Sequence, residues 1–292
     1  MASGFFALLD DIATLMDDVV VMSKITTKKT AGILGDDLAV NAEKATGFVS
    51  SREIPVLWAI TKGSFLNKLI ILPIAFLLSA FLPIAVTVLL VLGGIYLAFE
   101  GVEKIYEFIV PHAHKKEHEV LTSSSKEDAL AFEKTRVKSA IFTDFILSVE
   151  IVIIALGTVL GKPLLFQILV VSIVSLIATV GVYGIVALIV RMDDMGYKLI
   201  KKSGDRKTFG KTLGTFLVNA LPWVIKSLSV IGTIALILVA GGIFVHNIEL
   251  LHHFLDFMPS MLQEFVVGLL VGFVAFLLVK IFKYLFRKKK GV

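Results

Sequence analysis

The sequence contains no cysteine, only seven prolines and few charged residues. Without cysteine, neither a disulfide bond nor a thiolate metal site can form. Asp, Glu, Lys and Arg together make up 18% of the 292 residues, whereas 57% are hydrophobic. Soluble domains carry about 25% charged residues. The hydrophobic residues also occur in long blocks that one soluble core cannot bury. The composition therefore indicates an integral membrane protein.

Six hydrophobic blocks predict membrane-spanning helices. Most reach the ~20 residues that a helix needs to cross a bilayer. Pro83 suits the first turn of a helix, so the first two blocks are expected to form a tight hairpin. The predicted fold is all-α and polytopic, with about six transmembrane helices as three hairpins. The blocks cover approximately residues 65–82, 84–108, 139–160, 164–190, 221–245 and 261–284.

Lys and Arg are distributed unequally around these blocks. The turns 82–84, 157–163 and 246–260 contain only Lys162, so 28 of the 29 basic residues lie on one side. The positive-inside rule then places both termini in the cytoplasm. Topology explains the positive charge, so no nucleic-acid partner is expected. The predicted regions are a cytoplasmic or interfacial helical region 1–64, a bundle 65–286 with cytoplasmic loops 109–138 and 191–220, and a basic cytoplasmic tail 287–292.

Residues 5–38 contain six aspartates in three adjacent pairs. The first two pairs, Asp10, Asp11, Asp17 and Asp18, fall on one face of a predicted amphipathic helix that is otherwise apolar. Helices on a membrane surface usually carry Lys and Arg there, because lipid headgroups are anionic. The acidic face is therefore expected to meet water, basic protein groups, or a cation at a pathway mouth. A divalent cation is the one cofactor considered. Residues 5–22 either insert in the membrane or lie against it.

Several polar residues lie inside the hydrophobic blocks. Glu150 is near the middle of the third block, where a carboxylate costs about 2.5–3.5 kcal/mol or more, so it should face the bundle. Ser175 and Thr179 in the fourth block reach the depth of Glu150 and are candidates for the same polar path. Asp144 lies on another face of the third helix. Lys226 matches Asp144 in depth, and we predict an ion pair between them.

The stretch DDIATLMDDVVVMSKITTKKTAGILGDDLAVNAEKATGF, followed by REIPVLWAITKGS, is long and idiosyncratic. It resembles the YedI-like family of bacterial inner-membrane proteins, and the resemblance covers essentially the whole chain. It implies a multi-span protein of the bacterial cytoplasmic membrane. The family has no established activity, so no residue roles are carried over from it.

Three functions remain open on the sequence alone. The first is a transporter or channel-like protein for a small solute or cation, with Glu150 on the path. The second is a metal-dependent membrane enzyme acting on lipid phosphate, with Lys24, Lys28 and Lys29 as phosphate ligands. The third is a scaffold without chemistry, which needs no buried carboxylate. An enzyme is less expected than a non-enzyme. The expected partners are the bilayer and a small solute or cation, and a homo-oligomer is left open.

Overall fold

A computed structural model describes residues 2–45, 50–110, 126–203, 209–247 and 258–289. These residues are almost entirely helical, and no strand occurs among them. Six of the described helices are long and apolar enough to cross a membrane. The predicted all-α polytopic fold is therefore confirmed. The helices are α1 Ala2–Ala45, α2 Ser50–Phe81, α3 Pro83–Ile109, α4 Lys126–Thr158, α5 Leu164–Val190, α6 Met192–Ser203, α7 Phe209–Asn247 and α8 Ser260–Lys289.

Short turns with suitable residues connect the first two hairpins. Leu82 alone separates α2 from α3, and Pro83 occupies the first position of α3, where its missing N–H costs nothing. The turn from α4 to α5 passes through Gly161, whose φ of 82° favours glycine. Such short connections make α2 and α3, and α4 and α5, antiparallel neighbours.

Helix α1 runs antiparallel to α4 along most of the length of the bundle. At one end, the Lys44 Nζ donates to the hydroxyls of Ser139 and Thr143, at 3.2 and 3.0 Å. At the other end, the hydroxyls of Thr26 and Thr158 are 2.7 Å apart. The 18 residues from 26 to 44 extend about 27 Å, most of the ~30 Å hydrocarbon core of a bilayer. This part of α1 therefore lies at the depth of the membrane spans.

The cytoplasmic or interfacial region 1–64 stays a prediction, but residues 26–44 within it lie alongside α4. Helix α1 is not among the six candidate membrane spans, because it contains many charged residues. It nevertheless lies within the bundle because it packs on α4, α5 and α7 rather than on lipid alone. Residues 9–18 extend beyond the end of α4, and their four aspartates are exposed. Three exposed lysines follow near the same end as Lys162: Lys24, Lys28 and Lys29.

Helices α1 and α7 approach each other closely at small residues. A Cβ placed on Gly35 would be 3.6 Å from the Cα of Gly232. A Cβ placed on Gly232 would collide with the backbone of Asp36. Small residues at helix interfaces permit this kind of backbone approach. The contact fixes the position of Asp36 relative to α7.

We expect Gly232→Leu to prevent normal docking of α1. The new side chain would meet backbone atoms that cannot rotate away, and overpacking of this kind costs about 1–3 kcal/mol or more. Thermal unfolding in detergent and size-exclusion profiles would measure the loss. Gly93→Leu is the matched control, because no atom lies within 4 Å of a Cβ at that position. Equal behaviour of the two variants would contradict the close contact.

Candidate functional site

Asp144, one of the predicted residues, is the centre of a buried hydrogen-bond network. Its Oδ1 accepts hydrogen bonds from the hydroxyls of Ser64, at 2.8 Å, and Tyr183, at 2.7 Å. Its Oδ2 accepts from the Nδ2 of Asn67, at 3.0 Å, and the hydroxyl of Ser148, at 3.3 Å. These donors come from α2, α4 and α5. The three helices therefore hold the carboxylate of Asp144 in one place.

Lys68 is buried on α2 beside this network. Its Nζ donates to the hydroxyls of Ser64, at 3.0 Å, and Ser148, at 2.9 Å. Both hydroxyls in turn donate to Asp144. No direct ion pair joins Lys68 to a carboxylate among the described residues. Its charge and that of Asp144 thus compensate each other through two serine hydroxyls.

Asp37 of α1 faces the same network and is 4% exposed. Its Oδ1 is buried without a hydrogen-bond partner. A cavity of about 10 Å³ lies here, which is room for about one water molecule. The polar side chains that line it are Asp37, Asn41, Lys68, Asp144, Ser148, Thr179 and Tyr183.

Asp36 points to a different helix from its neighbour Asp37. Both oxygens of the Asp36 carboxylate accept from the Nζ of Lys104 on α3, each at 2.6 Å. The same Nζ is 3.1 Å from Oε1 of Glu100, one turn earlier on α3. The adjacent aspartates therefore connect α1 to α3 on one side and to the Asp144 network on the other.

Glu150 is buried on α4, as predicted, and is 7% exposed. Neither of its carboxyl oxygens has a hydrogen-bond partner. Among the charges that act most strongly on it, those of Glu100, Asp37 and Asp36 are repulsive and that of Lys104 is attractive. A buried ionised carboxylate without a partner is very costly. A proton, a cation or water must compensate it.

Together these groups form what we call the acidic centre. It contains five carboxyl groups and two lysines, so full ionisation would leave three uncompensated negative charges. Buried charges are stable only when they are paired. The acidic centre therefore has the capacity to take up protons or small cations. Its members are Asp36, Asp37, Glu100, Asp144, Glu150, Lys68 and Lys104.

The other predicted residues of the spans have different environments. Thr179 lines the cavity, and its hydroxyl donates to the backbone oxygen of Ser175 at 2.8 Å. Ser175 is buried, but it does not line the cavity, and its hydroxyl has no partner. The predicted ion pair between Asp144 and Lys226 is wrong. The Lys226 Nζ lies 5.5 Å from the ring centroid of Phe108 instead, because α1 packs between α4 and α7.

The acidic face of the amphipathic helix lies apart from the acidic centre. Asp10, Asp11, Asp17 and Asp18 are exposed on the part of α1 that extends beyond α4. Among the described residues, no group of three or more His, Asp or Glu side chains is arranged to hold a metal ion. The first two aspartate pairs thus contribute neither to the cavity nor to its charge.

Sequence reasoning missed five members of the acidic centre: Asp36, Asp37, Glu100, Lys68 and Lys104. Two signals were present. The aspartates form the third adjacent pair in the opening stretch, and Lys68 lies inside the first hydrophobic block, 65–82. An ionisable residue in a span is a functional candidate by default. Lys68 is therefore as strong a functional candidate as Glu150.

A comparison with known protein families identifies the family of this chain. The family model described as "Protein of unknown function (DUF808)" matches residues 3–286. No curated protein and no solved structure matches the chain. The matched range includes every residue of the acidic centre. The chain therefore belongs to the DUF808 family, whose description assigns no function.

Proposed function

We propose that this protein is a transporter of the bacterial inner membrane that couples the movement of a small solute or cation to proton binding at the acidic centre. One observation carries the proposal. Asp37 and Glu150 are buried at the depth of the spans, and each has a carboxyl oxygen without a partner. Ionisable groups in such places are costly and commonly mark ion pathways or proton relays.

Lys68 supplies an internal counter-charge for the cycle. While a proton or a cation is on Asp37, the carboxylate of Asp144 is the negative group that Lys68 compensates through Ser64 and Ser148. When the proton or cation leaves, Lys68 is the positive charge that acts on Asp37. The water-sized cavity lies between these groups and provides the place where a proton or small ion changes partner.

The other two functions have less support. A metal-dependent enzyme would need the aspartate pairs near a substrate phosphate, but Asp10, Asp11, Asp17 and Asp18 are exposed and gather no further ligand among the described residues. A scaffold would need no buried charge. The acidic centre costs stability, and such a cost is better explained by a function in ion movement.

The orientation that we propose rests on the positive-inside rule and on the placement of α1. Lys198, Lys201 and Lys202 of α6 and Lys280 of α8 lie at the opposite end of the bundle from Lys162. The positive-inside rule favours the cytoplasm for that basic end. Residues 2–18 then emerge on the periplasmic side, because α1 adds a crossing before α2. This proposal replaces the expectation that both termini are cytoplasmic.

Flux in proteoliposomes tests the proposal. The purified protein would be reconstituted with a pH-sensitive dye inside, and gradients of protons, Na⁺ and K⁺ would be applied in turn. We expect proton movement that depends on the protein and is strongly reduced by Glu150→Gln. Glu107→Gln, an exposed residue of α3, is the matched control. Flux no greater than in protein-free liposomes under every gradient would contradict a proton-coupled transporter.

A further inference from the structure

A large groove lies between α2 and α5. Its volume is about 730 Å³, and its walls are almost entirely apolar. Four of its lining side chains, Phe65, Leu66, Leu176 and Val180, are 49–66% exposed, so the groove opens sideways from the bundle. An opening of this kind at the depth of the spans faces lipid.

The groove has the length of one bilayer leaflet. Along α5 its lining runs from Leu176 to Ala187. These 11 residues extend about 17 Å, which is about half of the ~30 Å hydrocarbon core. One acyl chain of a phospholipid therefore matches the groove in both polarity and length.

The α2 wall of the groove has the features of a headgroup site. Lys62 lies within this wall, which runs from Ile54 to Leu66, and its Nζ lies over the ring of Trp58, 5.4 Å from the centroid. Trp58 and Lys62 are both exposed. The next residue, Gly63, packs on Ile141 of α4, three residues after the charged stretch 133–138. Trp and Lys at this level are typical of the membrane–water interface.

We propose that the groove binds an anionic phospholipid of the surrounding leaflet, with its phosphate beside Lys62 and one acyl chain along α5. The positive charge of Lys62 selects a negative headgroup. The apolar walls accept the chain, and the lateral opening lets the lipid enter from the bilayer. An anionic lipid is thus bound by charge and by apolar contact together.

The bound lipid would also contact the wall of the acidic centre. Thr179 and Tyr183 line both the groove and the cavity. The hydroxyl of Tyr183 donates to Asp144 at 2.7 Å. An acyl chain packed on Tyr183 therefore holds the donor that positions Asp144. This regulatory link rests on the proposed transport function, whereas lipid binding does not.

Lipid binding to the full-length protein in detergent tests the proposal. Native mass spectrometry would compare phosphatidylglycerol with phosphatidylcholine carrying the same acyl chains. We expect the wild type to prefer phosphatidylglycerol. Lys62→Gln should weaken phosphatidylglycerol binding about fivefold and leave phosphatidylcholine binding unchanged. A retained preference for phosphatidylglycerol in Lys62→Gln would overturn the headgroup assignment.

A second variant tests the acyl-chain site. Gly184 lines the groove, and no atom lies within 4 Å of a Cβ there, so Gly184→Leu should fill the groove without a clash. We expect weaker binding of both lipids. Gly181→Leu is the matched control on the same helix, since its Cβ also meets open space outside the groove lining. Equal lipid binding by the two leucine variants would overturn the site. This readout needs no flux, so it stays separate from the transport proposal.

Discussion

Asp37→Asn should abolish proton-coupled flux while leaving the protein folded. The substitution removes the charge but keeps the size of the side chain. No hydrogen bond to the buried Oδ1 is lost, and the Nδ2 of Asn41 donates to the backbone oxygen of residue 37 rather than to its carboxyl group. Loss of a positioned proton-transfer group commonly costs about 100-fold or more in rate. We therefore expect flux to fall by at least that factor in the proteoliposome assay.

Asp17→Asn is the control for this prediction. Asp17 belongs to the same helix but is exposed beyond the end of α4. It should retain full flux, and both variants should show the unfolding temperature of the wild type or a higher one. A folded Asp37→Asn protein that transports as fast as Asp17→Asn would show that Asp37 takes no part in the pathway.

Asp144→Ala is expected to destabilise the protein strongly. It removes the acceptor of four hydrogen bonds from α2, α4 and α5. It also leaves Lys68 buried with only serine hydroxyls as partners. Breaking a buried charge pair by removing one member costs about 3–5 kcal/mol. The drop in free energy of unfolding would be measured by denaturation in detergent micelles.

The same substitution should cost much less in a Lys68→Met background, because no unpaired cation would then remain. We expect a coupling of about 1–3 kcal/mol in this double-mutant cycle. Lys162→Met supplies the comparison, since Lys162 is an exposed lysine outside the acidic centre and should not couple to Asp144. Additive effects of Asp144→Ala and Lys68→Met would contradict the charge compensation through Ser64 and Ser148.

The membrane spans were predictable because lipid imposes a simple requirement on sequence. Helices that face acyl chains must be apolar over ~20 residues. The blocks 84–108 and 164–190 accordingly agree with Pro83–Ile109 and Leu164–Val190. The same requirement did not predict that helix α1 lies within the bundle. Protein surrounds much of it, so its lysines and aspartates need partners or an exposed face rather than apolar neighbours.

The acidic centre was predictable only in part. Asp144 and Glu150 stood out because they lie inside an apolar block, and both are buried. Their partners could not be derived in the same way. The contacts of Asp36 with Lys104 and of Ser64 with Asp144 join residues far apart in the chain. Depth alone suggested Lys226 as the partner of Asp144. Such a pair forms only when the two helices that carry the residues are neighbours.

The passage of α1 through the bundle brings Asp36 and Asp37 to membrane depth, and the proposed transport function depends on it. The chain lacks cysteine, so single cysteines can be introduced at three exposed positions, 17, 162 and 198. Labelling with a membrane-impermeant maleimide from each side of the membrane measures where each one lies. We predict that Asp17→Cys labels from the same side as Lys162→Cys and from the opposite side to Lys198→Cys. Labelling of Asp17→Cys from the side of Lys198→Cys would contradict it.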